Sequence, residues 1–430
     1  MREIITRVIF DNTNEISPND VRALHLKADI RESVPTGYLL LSDPSGAMIR
    51  YLRVRAGSFV EIQFRDVSGD RGGLPAFGYT KMIVVSAVNL DDPGSTHELA
   101  GKFAPTNGAN TFAMGGSILL DLIHPWKALS SPRSRGFLER GSEIIKKIAG
   151  DGFKGFVFSA IRVSPTDDSG REPFYKTQET ETDFIKNKLL PYLTINGEPT
   201  YCFVNESNEL WLTSFLEMYK EPTTLTLVSE GLDVGASGKA ALDGKNFPGT
   251  REHFSFAAWQ MGTSFLKQIK ALKSWAYGVD NKSGAGIVGK TLYAPGSPGT
   301  ILISKSIIGS AEALDATAYP HESYEDALSI EMNKKRIMDE FYMITVECGL
   351  APDLMRIGKT CNIVFQTDPD TSAPHWASGK WLILATEYVI EGSLDPSDGA
   401  TIYGCRLILG KPTINHLPKD IKKSDYLAFD

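Results

Sequence analysis

Two short stretches carry the same pattern, Gly57-Ser58-Phe59-Val60-Glu61-Ile62-Gln63-Phe64 (GSFVEIQF) and Gly358-Lys359-Thr360-Cys361-Asn362-Ile363-Val364-Phe365 (GKTCNIVF). Both read G-x-x-[V/C]-x-I-x-F, and an arginine stands two residues before each, Arg55 and Arg356. Apolar and polar positions that alternate after a glycine mark a half-buried strand. After a turn-rich interval each is followed by a lysine that opens an apolar strand, Lys81-Met82-Ile83-Val84-Val85 and Lys380-Trp381-Leu382-Ile383-Leu384. A last strand closes each set, Thr96–Ala104 and Thr401–Leu409. Three elements in one order predict a single small barrel used twice. The competing explanation is composition alone, since short apolar motifs recur freely.

The flanking segments extend both sets. Ile4–Phe10, Val21–Ile30, Tyr38–Leu41, Phe59–Phe64 and Met82–Leu90 are apolar and β-branched, with turn chemistry between them, such as Asp43-Pro44-Ser45-Gly46. Tyr342–Cys348, Cys361–Phe365, Trp381–Ile390 and Ile402–Leu409 repeat that texture near the other end. Between them the periodicity changes. Ser142 is placed to cap a helix carrying Ile144, Ile145 and Ile148, with Gly150 to end it. A strand over Gly155–Val163 follows, and Thr180 with Asp183 forms an Asp version of the capping box before Phe184, Ile185 and Leu189. Pro199–Asn205 and Glu209–Leu216 flank a turn on Glu206-Ser207-Asn208 and predict a hairpin. Ser229–Thr250 is rich in glycine and reads as a mobile loop. Phe265, Ile269, Leu272 and Ala276 follow helical spacing before Gly278, and a second amphipathic helix is expected from Ser323 to Phe341.

A chain of 430 residues, 42% hydrophobic and 23% charged, has material for about two to four compact units without covalent staples. Its first residues, MREIITRVIFDNTNE, break their apolar run with charge, unlike a signal peptide. No apolar run approaches the roughly 20 residues of a membrane helix, so stable membrane insertion is not expected. The net charge of -7 argues against a broad nucleic-acid-binding surface. Cys202, Cys348, Cys361 and Cys405 stand far apart in apolar runs, which points to core thiols rather than zinc ligands or a nucleophile.

One motif suggests chemistry. Gly284-Ala285-Gly286-Ile287-Val288-Gly289-Lys290-Thr291 fits the phosphate-binding pattern G-x-x-x-x-G-K-[S/T]. A working loop leaves a buried strand and opens a helix, whose N-terminal amides hold phosphate. Here Pro295, Gly296, Pro298 and Gly299 stand where the helix has to run, and the segment reads as a hairpin, Ile287–Ala294 and Thr300–Lys305. Gly284, Gly289, Lys290 and Thr291 are therefore read as a chance match, and no cofactor or metal is expected. His97-Glu98 and His321-Glu322 lack the second histidine of a zinc helix, and His124 and His375, beside proline and tryptophan, read as packing or surface residues. No catalytic residue is assigned.

The repeated barrel, the α/β insert and Tyr175-Lys176-Thr177-Gln178-Glu179-Thr180-Glu181-Thr182-Asp183-Phe184-Ile185 together resemble the central hub proteins of contractile phage baseplates. The N-terminal part of type VI secretion spike proteins shares that arrangement. Gln178, Thr182, Asp183, Phe184 and Ile185 match the family's strand end and helix start, and Ser378–Ile383 with Tyr403–Leu407 resemble its last strands. The resemblance implies a mixed α+β, mainly β chain with two tube-type barrels. Residues 1–106 form the first barrel, 107–199 an α/β connector, and 200–230 with 340–415 the second, discontinuous barrel; 231–339 is an insertion and 416–430 a tail. It further implies a homotrimer in the virion, made in the host cytoplasm, which joins a hexameric tail tube to a separate trimeric spike. Other baseplate proteins would sit at its periphery, and DNA would pass through its channel without specific binding. Two other classes stay open: a tail-associated peptidoglycan hydrolase with its site in the Gly-rich insert, and a nucleotide-binding assembly factor using Gly284–Thr291.

Overall fold

The computed structural model describes residues 4–17, 20–43, 54–66, 77–78, 81–89, 116–130, 133–151, 156–168, 173–196, 198–223, 225–229, 250–260, 272–279, 286–292, 299–302, 342–349, 354–364, 379–392 and 402–411. The chain is mainly β. A first set of strands comprises β1 (Ile4–Phe10), β2 (Asn14–Ile16), β3 (Val21–Asp29), β4 (Thr36–Asp43), β5 (Phe59–Asp66), β6 (Phe77–Gly78), β7 (Met82–Asn89) and β8 (Gly116–Ile123). A connector follows, with helices α1 (Pro125–Ala128), α2 (Gly141–Gly150), α3 (Glu181–Phe184) and α4 (Phe215–Lys220). Its strands are β9 (Arg135–Phe137), β10 (Ala160–Val163), β11 (Phe174–Lys176), β12 (Thr194–Ile195), β13 (Glu198–Val204) and β14 (Glu209–Ser214). The second set is β15 (Leu225–Ser229), β16 (Thr250–Gln260), β20 (Tyr342–Gly349), β21 (Thr360–Val364), β22 (Gly379–Glu391) and β23 (Ile402–Lys411). Between β16 and β20 lie β17 (Leu272–Val279), β18 (Gly286–Leu292) and β19 (Gly299–Leu302).

The two sets correspond strand by strand. In space they run β5-β7-β8-β4-β3 and β21-β22-β23-β20-β16, every neighbouring pair is antiparallel, and the chain visits the five positions in the same order. The shared glycine explains the shared start. Gly57 and Gly358 sit at φ 92° and 78°, a left-handed turn that a side chain strains. Gly57 N–H donates to Val84 O at 2.7 Å and Gly358 N–H to Ile383 O at 3.0 Å. The neighbouring strand donates back, Val84 N–H to Ser58 O at 3.0 Å and Ile383 N–H to Lys359 O at 2.8 Å. A β-bulge then follows at one place in both, between Val84 and Ser86 and between Ile383 and Ala385. A bulge re-aims the strand beyond it, so this is a shared design rather than shared composition.

Three expectations are corrected here. First, the two barrels are not separate closed bodies. All these strands belong to one 14-stranded hydrogen-bonded system, in which β3 pairs β22 from Ala23↔Glu391 to Asp29↔Ala385. One core also spans both sets: Val60, Ile62 and Leu120 of the first belong to the same buried cluster as Ile363, Trp381 and Leu407 of the second. The sixth positions differ in sense, because β1 is antiparallel to β5 whereas β15 is parallel to both β21 and β16. Second, the strand at the place of β23 is β8, whose Ile118, Leu119, Leu120 and Leu122 are buried; Thr96–Ala104 lies outside the described residues. Third, the boundaries move. β8 leaves the connector for the first set, β13 and β14 join β10 and β12 in the connector's own sheet, and β16 leaves the insertion for the second set.

Smaller corrections concern local signals. Ser142 lies inside α2 and does not cap it; the first amides of α2 are met by Asp168 and Thr166 side chains, from Gly141 N–H at 2.9 Å and Ser142 N–H at 3.1 Å. Thr180 does cap α3, accepting from Asp183 N–H at 3.1 Å. The helix expected through Leu272 and Ala276 is instead β17, whose aromatic residues suit a strand and which β18 and β19 flank. β18 and β19 are not a hairpin: β18 pairs β17 antiparallel and β19 pairs it in parallel on the other edge. The Gly-rich stretch 230–249 and the helix expected from Ser323 to Phe341 lie outside the described residues. No helix among the described residues is long and apolar enough to cross a membrane.

Candidate assembly surface

The geometry singles out the seam where β3 meets β22. Beyond the bulge, Tyr388 and Ile390 turn into the main core, and Phe64 of β5 meets the Tyr388 ring edge-on at 5.9 Å. The opposite face is polar. His25 lies 3.2 Å from Glu391 through Nε2 and 3.9 Å from Glu387 through Nδ1, and its ring stacks on Tyr38 at 4.5 Å. The hydrogen bond from His25 holds the Glu387 carboxyl below the usual range, with Arg406 and Lys27 adding to it. Burial, with Glu391 and Glu387 nearby, pushes the Tyr38 hydroxyl up to about 12. Arg406 reaches Glu347 at 2.8 Å and Glu387 at 3.2 Å. Fixed, mutually paired charges on this sheet face suit a docking surface.

The connector locks onto this seam through its hairpin. Asn205 shapes the β13–β14 turn by accepting from Ser207 N–H and Glu209 N–H, each at 3.0 Å. That turn sends Glu206, wholly buried, into the second set, where it accepts from Ile357 N–H at 3.1 Å and from the Thr386 hydroxyl. Burial pushes the Glu206 carboxyl up to about 7, against the pull of these hydrogen bonds and Arg356. Phe203, Trp211, Met218 and Tyr219 close over Ile357, Leu382 and Leu384, and Ala28 and Ile30 of the first set join that cluster. Sequence reading took Glu206 as a turn residue. A buried contact 151 positions away leaves no local trace.

The residues flagged for chemistry do not converge. Gly289, Lys290 and Thr291 lie in β18, with Lys290 opposite Ala276 and Thr291 opposite Trp275, and Gly289 is the extra residue of a bulge. Their backbone is a paired strand, not a turn that opens a helix; Gly284 lies outside the described residues. His124 is buried at the N-cap of α1, where Nδ1 accepts from Trp126 N–H at 3.2 Å and Nε2 meets Asn208 at 3.0 Å. Burial lowers it to about 4, so it packs as a neutral ring. Cys202, Cys361 and Cys405 are buried and Cys348 half-buried, all as free thiols, and burial pushes the Cys361 and Cys405 thiols up. His97, His321 and His375 lie outside the described residues.

No sequence-family profile matches the chain, and no curated protein does. Solved structures do. A tail protein from Neisseria meningitidis MC58 superposes with a TM-score of 0.51 over 96% of this chain and 98% of its own, at 10% identity. The fold is that of this tail protein. The 43 kDa tail protein of prophage MuSo2 from Shewanella oneidensis matches at a TM-score of 0.49 and 10% identity, over 95% of this chain and 98% of its own. An E. coli type VI secretion component, described as structurally similar to T4 bacteriophage tail proteins, matches at 0.48 and 9% identity, over 96% of this chain and 79% of its own. The Neisseria match covers 96% of this chain, so the shared fold extends through the connector and both strand sets.

Proposed function

We propose that this chain is a structural virion protein, the trimeric baseplate hub that joins a hexameric tail tube to a trimeric central spike. One observation carries the reading: a single chain with a tail-protein fold repeats five strands in the same order, with the same glycine turn and the same bulge. Three such chains present six near-equivalent sets to a sixfold tube while keeping threefold symmetry for a spike. Each set is a tube-type unit, and the two share a core instead of standing apart. The tail tube protein lies above, a separate spike protein below, and other baseplate proteins at the periphery. DNA passes through the lumen without specific binding, in keeping with the net charge of -7. The role is assembly, not turnover, and Gly289, Lys290 and Thr291 hold no nucleotide. Light scattering on the full chain tests the reading, with three chains per particle expected. One chain per particle at every concentration removes the reason for two sets and overturns it.

A further inference from the structure

The duplication can be followed to its edges. By hydrogen-bond register, β7 stands where β22 stands and β16 stands where β3 stands. Inside the chain, β22 and β3 are joined along Ala385–Glu391 and Ala23–Asp29. Their counterparts are not. β5 pairs β7 only at Met82 and Ile83, and no described residue pairs that edge of β7 beyond Val84. β15 pairs β16 only from Thr250 to Phe254, and no described residue pairs that edge from Ser255 to Gln260. An unpaired strand edge is a template for another chain.

A side chain points the same way. Val85 is 48% exposed, whereas Leu384, at the same place in the bulge, is 0% exposed. Leu384 is covered because β3 runs past it: Ile30 N–H donates to Leu384 O at 2.9 Å, and Ala28 and Ile30 pack in its cluster.

We propose that β7 of one chain pairs antiparallel with β16 of the next, repeating between chains the β22–β3 ladder formed within each. The occupant of both edges is a second copy of this chain, and the proposal rests on the trimeric reading above. Each chain offers one edge of each kind, so the contact is head-to-tail, and the trimeric reading closes it into a ring of three. Carrying the internal register across puts Val88 opposite Gln260, as Glu387 stands opposite Lys27, and Asn89 opposite Trp259, as Tyr388 stands opposite Leu26.

Cysteine pairs test this on the full chain. Directly opposed residues of an antiparallel pair have Cβ atoms about 4.5–5.5 Å apart, near the reach of a disulfide. Val88→Cys with Gln260→Cys is expected to give reducible dimers and trimers on a denaturing gel, absent from either single variant. Lys27→Cys with Glu387→Cys, the internal equivalent, is expected to close only within one chain. A particle of three chains in which the internal pair closes and Val88→Cys/Gln260→Cys gives no intermolecular product overturns the edge assignment and leaves the trimer standing. A particle of one chain with no intermolecular product overturns both. Because Val85 is exposed in the single chain, Val85→Asp is expected to leave the thermal melt of the monomer unchanged and weaken association at least ~10-fold; undiminished association overturns the interface.

Discussion

The same rung of the sheet is built in two opposite ways. In the first set Leu40 stands opposite Leu119, both buried; in the second Glu347 stands opposite Arg406, both about half exposed. Leu119 packs with Ala23 and Leu40 under Tyr38, while Arg406 leans toward Glu347 and Glu387. Backbone geometry is shared because the glycine turn and the bulge fix it. Side-chain chemistry diverges, an apolar cluster in the first copy and an ion pair in the second. Leu119→Arg in the first set breaks this comparison most severely. It forces a guanidinium into the apolar cluster of Ala23 and Leu40, for a loss on the order of 4 kcal/mol in urea unfolding. Arg406→Leu, the reverse exchange, is expected to stay within about 1 kcal/mol of the parent. Equal losses would show that the two surfaces are not differently solvated.

The second contrast lies at the repeated turn. Ala56 and Gly57 are exposed, whereas Ile357 is buried beneath the connector hairpin and its backbone N–H meets Glu206. Glu206 ionises near 7 in the fold and near its ordinary 4.5 in the unfolded chain. Between those values the fold holds a proton that the unfolded chain has lost. Its contribution is therefore whole below 4.5, declines as pH rises, and is gone above 7. The two ionisation points are about 2.5 pH units apart, so the decline is roughly 3 kcal/mol at about 1.36 kcal/mol per unit. Glu206→Gln keeps an acceptor for Ile357 N–H and removes the titration. Urea melts from pH 4 to pH 8 should flatten over that window, and an unchanged slope sinks the assignment.

The two glycines sharpen the same contrast at smaller scale. A methyl on Gly57 meets nothing within 4 Å, while one on Gly358 lands 2.9 Å from the Phe203 ring. Both alanine variants carry the strain of positive φ, about 1 kcal/mol. Gly358→Ala adds overpacking against a wholly buried ring, and its melting point should fall further by the equivalent of about 1–2 kcal/mol. A larger loss at Gly57 would contradict the open space beside it.

How much of this was legible follows from range. The repeated G-x-x-[V/C]-x-I-x-F, the lysine-led strands and the Thr180 cap are local signals, and each sits where the sequence places it. Which strands pair is not local. β8 follows a long interval after β7, and β16 and β20 are separated by most of the insertion, so spacing alone does not identify the strand at the place of β23. At Leu272 and Ala276 helical spacing competed with strand chemistry, and pairing with β18 and β19 decided it. Glu206 was invisible for the same reason: its partners Ile357 and Thr386 come from another set. The chance phosphate-loop match shows the converse, since a motif fixes residues while function needs the turn and helix around them.

The smallest expected effect sits on the rung where the comparison began. Arg406 and Glu347 are 51% and 48% exposed, so water and salt screen their attraction, and ordering two long side chains costs entropy. Glu387 competes for the same guanidinium at 3.2 Å. A double-mutant cycle with Glu347→Ala and Arg406→Ala on the single chain should give a coupling of about 0.5 kcal/mol, smaller in high salt. The same cycle on the assembled particle carries more information. If the coupling stays small and salt-sensitive there, this face of the second set remains in water after assembly. A coupling above about 2 kcal/mol that ignores salt would place the rung inside a dry contact, and Glu347–Arg406 would then do between chains what Leu40–Leu119 does within one.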